Sequence, residues 1–211
     1  MIATLLAALA ADDTPASPLS EPEPAGFAHF RDFCLDHAGK PDESLKAAEG
    51  AGWMPVPRKM APVPPPEIIE AKIRIRSDDT AHYSLMAGRA ALMTGGFTWD
   101  SAICEVSVWP ADADATIAAL ERWVSLPPGA MQDGARFYAF AEQGGQRRPV
   151  DPSAAPTVRL LQAGAVWLVA VRPAGDGVAI SLAIPQRVTE DLDPTKRQEQ
   201  MTRLEPGMIV R

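Results

Sequence analysis

The residues that most often carry catalysis or hold metals are scarce: the 211-residue chain has three histidines and two cysteines. None of the GxSxG, P-loop, GxGxxG or HExxH motifs occurs in it. On one helix His29 and His37 would lie about 12 Å apart, too far to share a metal ion. Cys34 and His37 would supply two ligands, and no second pair completes a site. We therefore expect no catalytic residue, no metal and no cofactor.

Basic charge and long apolar runs are also scarce. The chain has 20 Lys and Arg against 27 Asp and Glu, for a net charge of −7. An acidic chain without a basic stripe is a poor partner for nucleic acid, so we expect no nucleic acid binding. No uncharged apolar run reaches the roughly 20 residues of a membrane-spanning helix, so we expect no membrane span.

Proline, in contrast, is abundant: the chain has 21, and they are clustered. Residues 11–24 are polar and proline-rich, which predicts a disordered leader. Residues 54–66 contain six prolines and predict an extended polyproline tether between helices and sheet. Between the leader and a polar tail at 189–211, residues 25–188 predict a single domain.

The N-terminus suggests export. Residues 1–10, MIATLLAALA, are uncharged and apolar, and Ala8-Leu9-Ala10 matches an A-x-A cleavage site. This pattern predicts a signal peptide and a periplasmic or secreted protein. Because no Lys or Arg precedes Arg31, the usual basic segment is missing, and a cytosolic structural module stays an alternative.

The stretch from Ser101 to Val124 has the clearest local pattern. Cys104 and Val106 alternate with polar residues, which predicts a half-buried strand that points Cys104 into the core. Asp112 or Asp114 can cap the helix that follows, and its apolar residues recur at helical spacing. The stretch thus predicts a strand followed by a helix that packs back on the sheet.

The two cysteines have three interpretations. Cys34 shares the apolar face of a helix with Phe27 and Phe30, so both sulfurs point toward a core. In an exported chain this arrangement predicts a Cys34–Cys104 disulfide. Free buried thiols are the alternative in the cytosol, and Cys34 activated by His37 is a third, which lacks an orienting group.

The pattern of the whole chain predicts an α+β fold. The expected sheet is largely antiparallel, has about six to seven strands and carries helices packed on one face. The predicted helices are 26–38, 41–49 and about 113–124, and the predicted strands are 68–75, 82–93 (interrupted near Gly88), 101–108, 137–141, 157–162, 165–171 and 178–184.

Three residues are candidates for ligand or partner contact. Trp109 and Glu105 lie on the strand face opposite Cys104, and Trp109 contacts a ligand if that face is open. The alternative is that Trp109 packs against a helix, because tryptophan is buried on average. Trp53 follows a helix end and precedes the prolines, where it would pin the tether or offer a second contact.

Two motifs resemble a group of proteins. The stretch from Phe30 to Asp36, FRDFCLD, is followed by His37, and a later C-x-V-x-x-x-P (Cys104 to Pro110) precedes an alanine-rich helix. The combination resembles uncharacterised secreted or periplasmic α+β proteins of proteobacteria. The resemblance implies the compartment and no known activity.

Together these patterns predict an exported envelope protein that acts as a non-enzymatic binding or interaction module, for a small-molecule or protein partner. The alternative is a hydrolase whose polar residues converge only in three dimensions. A deep pocket with convergent polar groups would favour the hydrolase, and a surface with an exposed apolar patch would favour the binding module.

Overall fold

The computed structural model describes residues 22–57, 65–94, 97–152 and 155–189. The expected signal peptide at 1–10, most of the leader, the middle of the tether and the tail from residue 190 lie outside the described residues. The turn expected at Gly95-Gly96 lies outside them as well.

The described residues form four α-helices, one π-helical segment and nine strands. The helices are α1 (Ala25–Phe30), α2 (Pro41–Gly50), α3 (Ala113–Val124) and α4 (Ala155–Gln162), and the π-helical segment is Arg31–Leu35. The strands are β1 (Met54–Pro55), β2 (Ile68–Ser77), β3 (His82–Thr94), β4 (Phe97–Trp109), β5 (Ala130–Gln132), β6 (Ala135–Gln143), β7 (Gln146–Pro149), β8 (Val166–Ala174) and β9 (Gly177–Val188).

All the described strands join one sheet in the order β1-β2-β3-β4-β9-β8-β6-β5, with β7 also beside β6. Every pairing is antiparallel. The predicted α+β class with a largely antiparallel sheet is therefore confirmed, and the sheet holds more strands than expected. The expected count of six to seven strands was too low, because β1, β5 and β7 span only two to four residues each and carry no alternation.

Helix α4 corrects the strand predicted at 157–162. Thr157 and Leu161 are buried, whereas Arg159 and Leu160 between them are exposed. Burial at i and i+4 is the spacing of a helix and not of a strand. In so short a segment the mixture of apolar and polar residues fits both patterns, and packing decides between them.

Strand β3 runs without a break through Gly88, contrary to the predicted interruption. Gly88 pairs with Ala71 beside a register shift in β2. A Cβ at Gly88 would lie 2.0 Å from the carbonyl oxygen of Glu70. The glycine is thus required by the close approach of the neighbouring backbone, which is the other role of glycine inside a strand.

One face of the sheet contributes to the main core. Val106 and Val108 of β4 and Ile180 of β9 lie in one buried cluster with side chains from α1, the π-helical segment, α2 and α3. On β4 these residues alternate with half-buried residues that point to the other face. Leu161 of α4 belongs to a second cluster, with Trp99 and Val166.

Helix α3 begins as predicted. The carboxylate of Asp112 accepts a hydrogen bond from the amide of Ala115 at 2.9 Å, so Asp112 and not Asp114 is the cap. The predicted apolar stripe, Ile117, Leu120 and Val124, is buried. The stripe belongs to the main core.

The disulfide between Cys34 and Cys104 is present. Their Cα atoms are 5.5 Å apart, within the range of a bridge, and both side chains are buried. Cys34 comes from the π-helical segment and Cys104 from β4. The bond thus joins residues 25–50, which hold α1, the π-helical segment and α2 and are called the helical layer below, to the middle of the sheet.

Candidate functional site

A groove with a volume of about 810 Å³ lies along the sheet face opposite the disulfide. This volume falls within the roughly 300–1,000 Å³ of typical small-molecule sites. Its lining is predominantly apolar. The residues that define its floor and walls are Ile68, Met86, Ala90, Leu92, Ile103, Phe137, Ala139, Leu168, Ala170, Ser181 and Ala183.

The groove spans several strands of the sheet. Ile68 of β2 and Phe137 of β6 both line it, although four strands separate β2 from β6 in the sheet order. Five spacings of about 4.8 Å separate these two strands within the sheet, so the groove runs across the strands.

Small side chains form the floor. Ala170 of β8 and Ser181 and Ala183 of β9 are half-buried and project toward the groove. The larger side chains on the other face of β9, Val178 and Ile180, belong to the main core.

Larger apolar side chains form the rim. Phe137 is 41% exposed and Met93 is 70% exposed, and both line the groove. Exposed apolar side chains that group around a groove, unlike single ones scattered over a surface, are typical of binding sites.

Glu105 is the predicted contact residue that lies in the groove. On the floor it pairs across the strands with Met86 and Ser181. Nη2 of Arg172 lies 3.4 Å from both oxygens of Glu105. This separation exceeds the 2.7–2.9 Å of a strong charge-assisted hydrogen bond, so the pair is loose.

The two tryptophans predicted as contacts lie elsewhere. Trp109 is 39% exposed at the end of β4, where its ring centroid is 6.1 Å from that of His82, and it does not line the groove. Trp53 is 2% exposed and packs edge-on against His29 and Phe33. Trp53 is therefore a core residue that follows α2.

The histidines are dispersed. Burial, with the positive charge of Arg76, lowers the pKa of His29 in its aromatic cluster. His82 contacts the hydroxyl of Ser77 at 2.8 Å, and His37 lies 3.7 Å from Glu43. Within the described ranges no three His, Cys, Asp or Glu side chains are grouped to hold a metal ion.

The sequence analysis did not predict an ion cluster in which two partly exposed arginines contact one buried carboxylate. The Asp100 side chain is 3% exposed and accepts hydrogen bonds from Nε of Arg89 and Nε of Arg187, each at 2.9 Å. Burial alone would raise the pKa of Asp100, but the two guanidiniums lower it below its usual value. The sequence does contain a signal for this cluster, because the charged residues Arg89 and Asp100 both lie at positions of their strands that point into the core.

Comparison with family models, with curated proteins and with solved structures gives no match for this chain.

Among the helices of the described residues, none is long and apolar enough to cross a membrane.

Proposed function

We propose that this is an exported envelope protein that binds a small hydrophobic ligand, one with an alkyl chain, in the groove. The observation that carries the proposal is the apolar groove itself, with its small floor residues and the exposed rim residues Phe137 and Met93. Covering these side chains with a ligand removes apolar surface from water, which is the main driving force for such binding.

The difference between the two faces of the sheet supports this role. We propose that α1, α2 and α3 pack on one face of the sheet and complete the core there. The ligand then binds on the other face. Helix α4 closes one end of that second face through Leu161, Trp99 and Val166.

The disulfide supports export. Disulfides form and persist in oxidising compartments such as the periplasm and the extracellular space. Cys34–Cys104 is buried between the helical layer and the sheet, where it acts as a structural bond. Together with the apolar residues 1–10, it favours a periplasmic or secreted location over the cytosolic alternative.

The lining favours binding over hydrolysis. Ser181 is a hydroxyl in the groove, and Glu105 is its cross-strand neighbour. A serine nucleophile needs a base within hydrogen-bond reach that a third group orients. The described lining holds no histidine, and Glu105 is turned to Arg172. We therefore rank the hydrolase second.

The test is calorimetric titration with neutral alkyl maltosides of increasing chain length, each below its micelle concentration. Every buried methylene contributes about 0.8 kcal/mol, so two more carbons should tighten Kd about fifteenfold until the groove is full. A single site per chain is expected.

A matched pair of variants locates the site. Ala183→Phe places a ring on the groove floor and should weaken binding at least tenfold. Ala51→Phe makes the same change at an exposed position after α2 and should leave Kd unchanged. The proposal fails if no maltoside binds, or if the two variants weaken binding equally.

A further inference from the structure

The β3–β4 hairpin extends beyond the strands on either side of it. Within the described residues, the last backbone hydrogen bonds to the neighbouring chain lie at Ala91, beside the start of β2, and at Thr98, beside the end of β9. β3 and β4 still pair with each other as far as Thr94 and Phe97. At about 3.4 Å per residue, the part of β3 after Ala91 therefore extends about 10 Å farther.

The described side chains that are exposed on this part of the hairpin are large and apolar. Met93 is 70% exposed, and Phe97 is 45% exposed, with its ring edge-on to the buried ring of Trp99. The run from Ala90 to Trp99 contains no charged residue. Leu92, Met93 and Phe97 are called the hairpin end below. Exposed hydrophobic residues that are grouped in this way mark contacts with proteins or with membranes.

The shape of the hairpin end favours a lipid surface over a protein partner. Interfacial segments of proteins enter the boundary between lipid head groups and acyl chains by about 5–10 Å, which the projecting part of the hairpin matches. A stable interface between proteins takes about 800 Å² from each partner, far more than two exposed side chains provide. A narrow, uncharged and projecting end is therefore better suited to insertion than to docking on a flat protein surface.

We infer that the hairpin end inserts into the outer part of a lipid bilayer and docks the protein on a membrane surface. The groove reaches the same place, because Leu92 and Met93 also line it. A lipid that leaves the bilayer beside the hairpin end then has a short path to the groove. The docking itself rests on the hairpin, and only this path rests on the proposed function.

The experiment measures flotation of the protein, with its disulfide intact, on vesicles of neutral phosphatidylcholine. The protein should float with the vesicles, and about 0.5 M salt should not release it, because salt screens charges and not apolar insertion. Vesicles that also contain anionic phosphatidylglycerol should not bind more tightly, because the net charge of the chain is −7.

Matched double variants assign the docking to the hairpin end. Met93→Ser with Phe97→Ser should weaken vesicle binding at least tenfold, because two apolar side chains no longer leave water. Met54→Ser with Met131→Ser removes side chains that are 64% and 67% exposed on β1 and β5, and should weaken binding less than twofold. Circular dichroism checks that both variants fold, and Phe97→Ser alone replaces the first pair if it does not.

Single variants separate the docking from the groove. Phe97 is not among the described residues that line the groove. Phe97→Ser should therefore weaken vesicle binding at least threefold and leave the Kd for dodecyl maltoside unchanged. Ala183→Phe, on the groove floor, should do the reverse. If vesicles bind and the maltoside does not, the proposed function is wrong and the docking stands.

Three results overturn the docking. One is that the wild-type protein does not float with the vesicles, and another is that the two double variants lose binding equally. The third comes from sedimentation velocity without vesicles. A wild-type dimer that Met93→Ser with Phe97→Ser converts to a monomer would make the hairpin end an interface between two copies of the chain.

Discussion

Breaking the Cys34–Cys104 bond should destabilise the protein and loosen its helical layer first. The two residues are 70 apart in sequence, and a bridge across a loop of this length contributes about 4 kcal/mol in the chain-entropy relation. With a urea dependence of about 2 kcal/mol per molar, the midpoint of unfolding should fall by about 2 M.

The helical layer should loosen first because, besides the disulfide, mainly side-chain packing and surface ion pairs hold it to the sheet, and residues 25–50 contain no strand that pairs with it. Before β2 the chain is anchored by Trp53 and by the two residues of β1. The ion pairs Arg74–Glu49 and Lys72–Asp42 join β2 to α2, but pairs with exposed carboxylates contribute only about 0–1 kcal/mol each. Residues 25–50 should therefore exchange amide hydrogens faster than the sheet does.

The assay is urea unfolding and amide exchange of the oxidised protein against the same protein refolded with a phosphine reductant. Ile180→Ala, in the oxidised protein, is the matched control: it removes a buried side chain from the same core at a cost of about 2–5 kcal/mol. It should lower global stability without selectively exposing residues 25–50. The reasoning is refuted if reduction lowers the free energy of unfolding by less than about 1 kcal/mol. It is also refuted if reduction accelerates amide hydrogen exchange equally in the helices and the sheet.

Four further predictions concern single positions. Gly88→Ala should destabilise the protein severely because its Cβ would overlap the backbone of β2, whereas Gly50→Ala, with nothing within 4 Å, should be neutral in thermal unfolding. Asp100→Asn should cost about 1–3 kcal/mol at pH 7. Because the pKa of Asp100 is lowered, this difference should persist above about pH 4 and vanish in more acidic urea titrations. Burial lowers the pKa of His29, so wild-type stability should decrease as pH falls below about 6.5, and His29→Phe should flatten that part of the profile. Intact mass of protein from the native host should show a start at Ala11; a retained N-terminus would contradict export.

Local patterns predicted the centre of the fold. Alternation in β4 and helical spacing in α3 are strong because each element has one buried face, and both appear where expected. The disulfide followed from the same logic, since Cys34 and Cys104 occupy the faces that their elements bury. In each case a few neighbouring residues carry the information.

The groove could not be predicted because it depends on distant parts of the chain. Alternation shows that Ser181 and Ala183 share a face, but not whether a helix or solvent covers it. Ile68 and Phe137 line one groove although five strand spacings separate them, so the groove is a property of the whole sheet. The role of Gly88 could not be predicted for the same reason, because it depends on the backbone of a neighbouring strand.

The most direct test of the central claim maps where an alkyl chain binds. A dodecyl maltoside with a photoreactive diazirine on its chain would be irradiated with the folded protein, and the labelled peptides identified by mass spectrometry. Binding in the groove predicts labels at Met86, Ile103 and Leu168, and their loss in Ala183→Phe but not in Ala51→Phe. Labels confined to the helical layer, or labels that the Ala183→Phe variant does not change, would contradict the account.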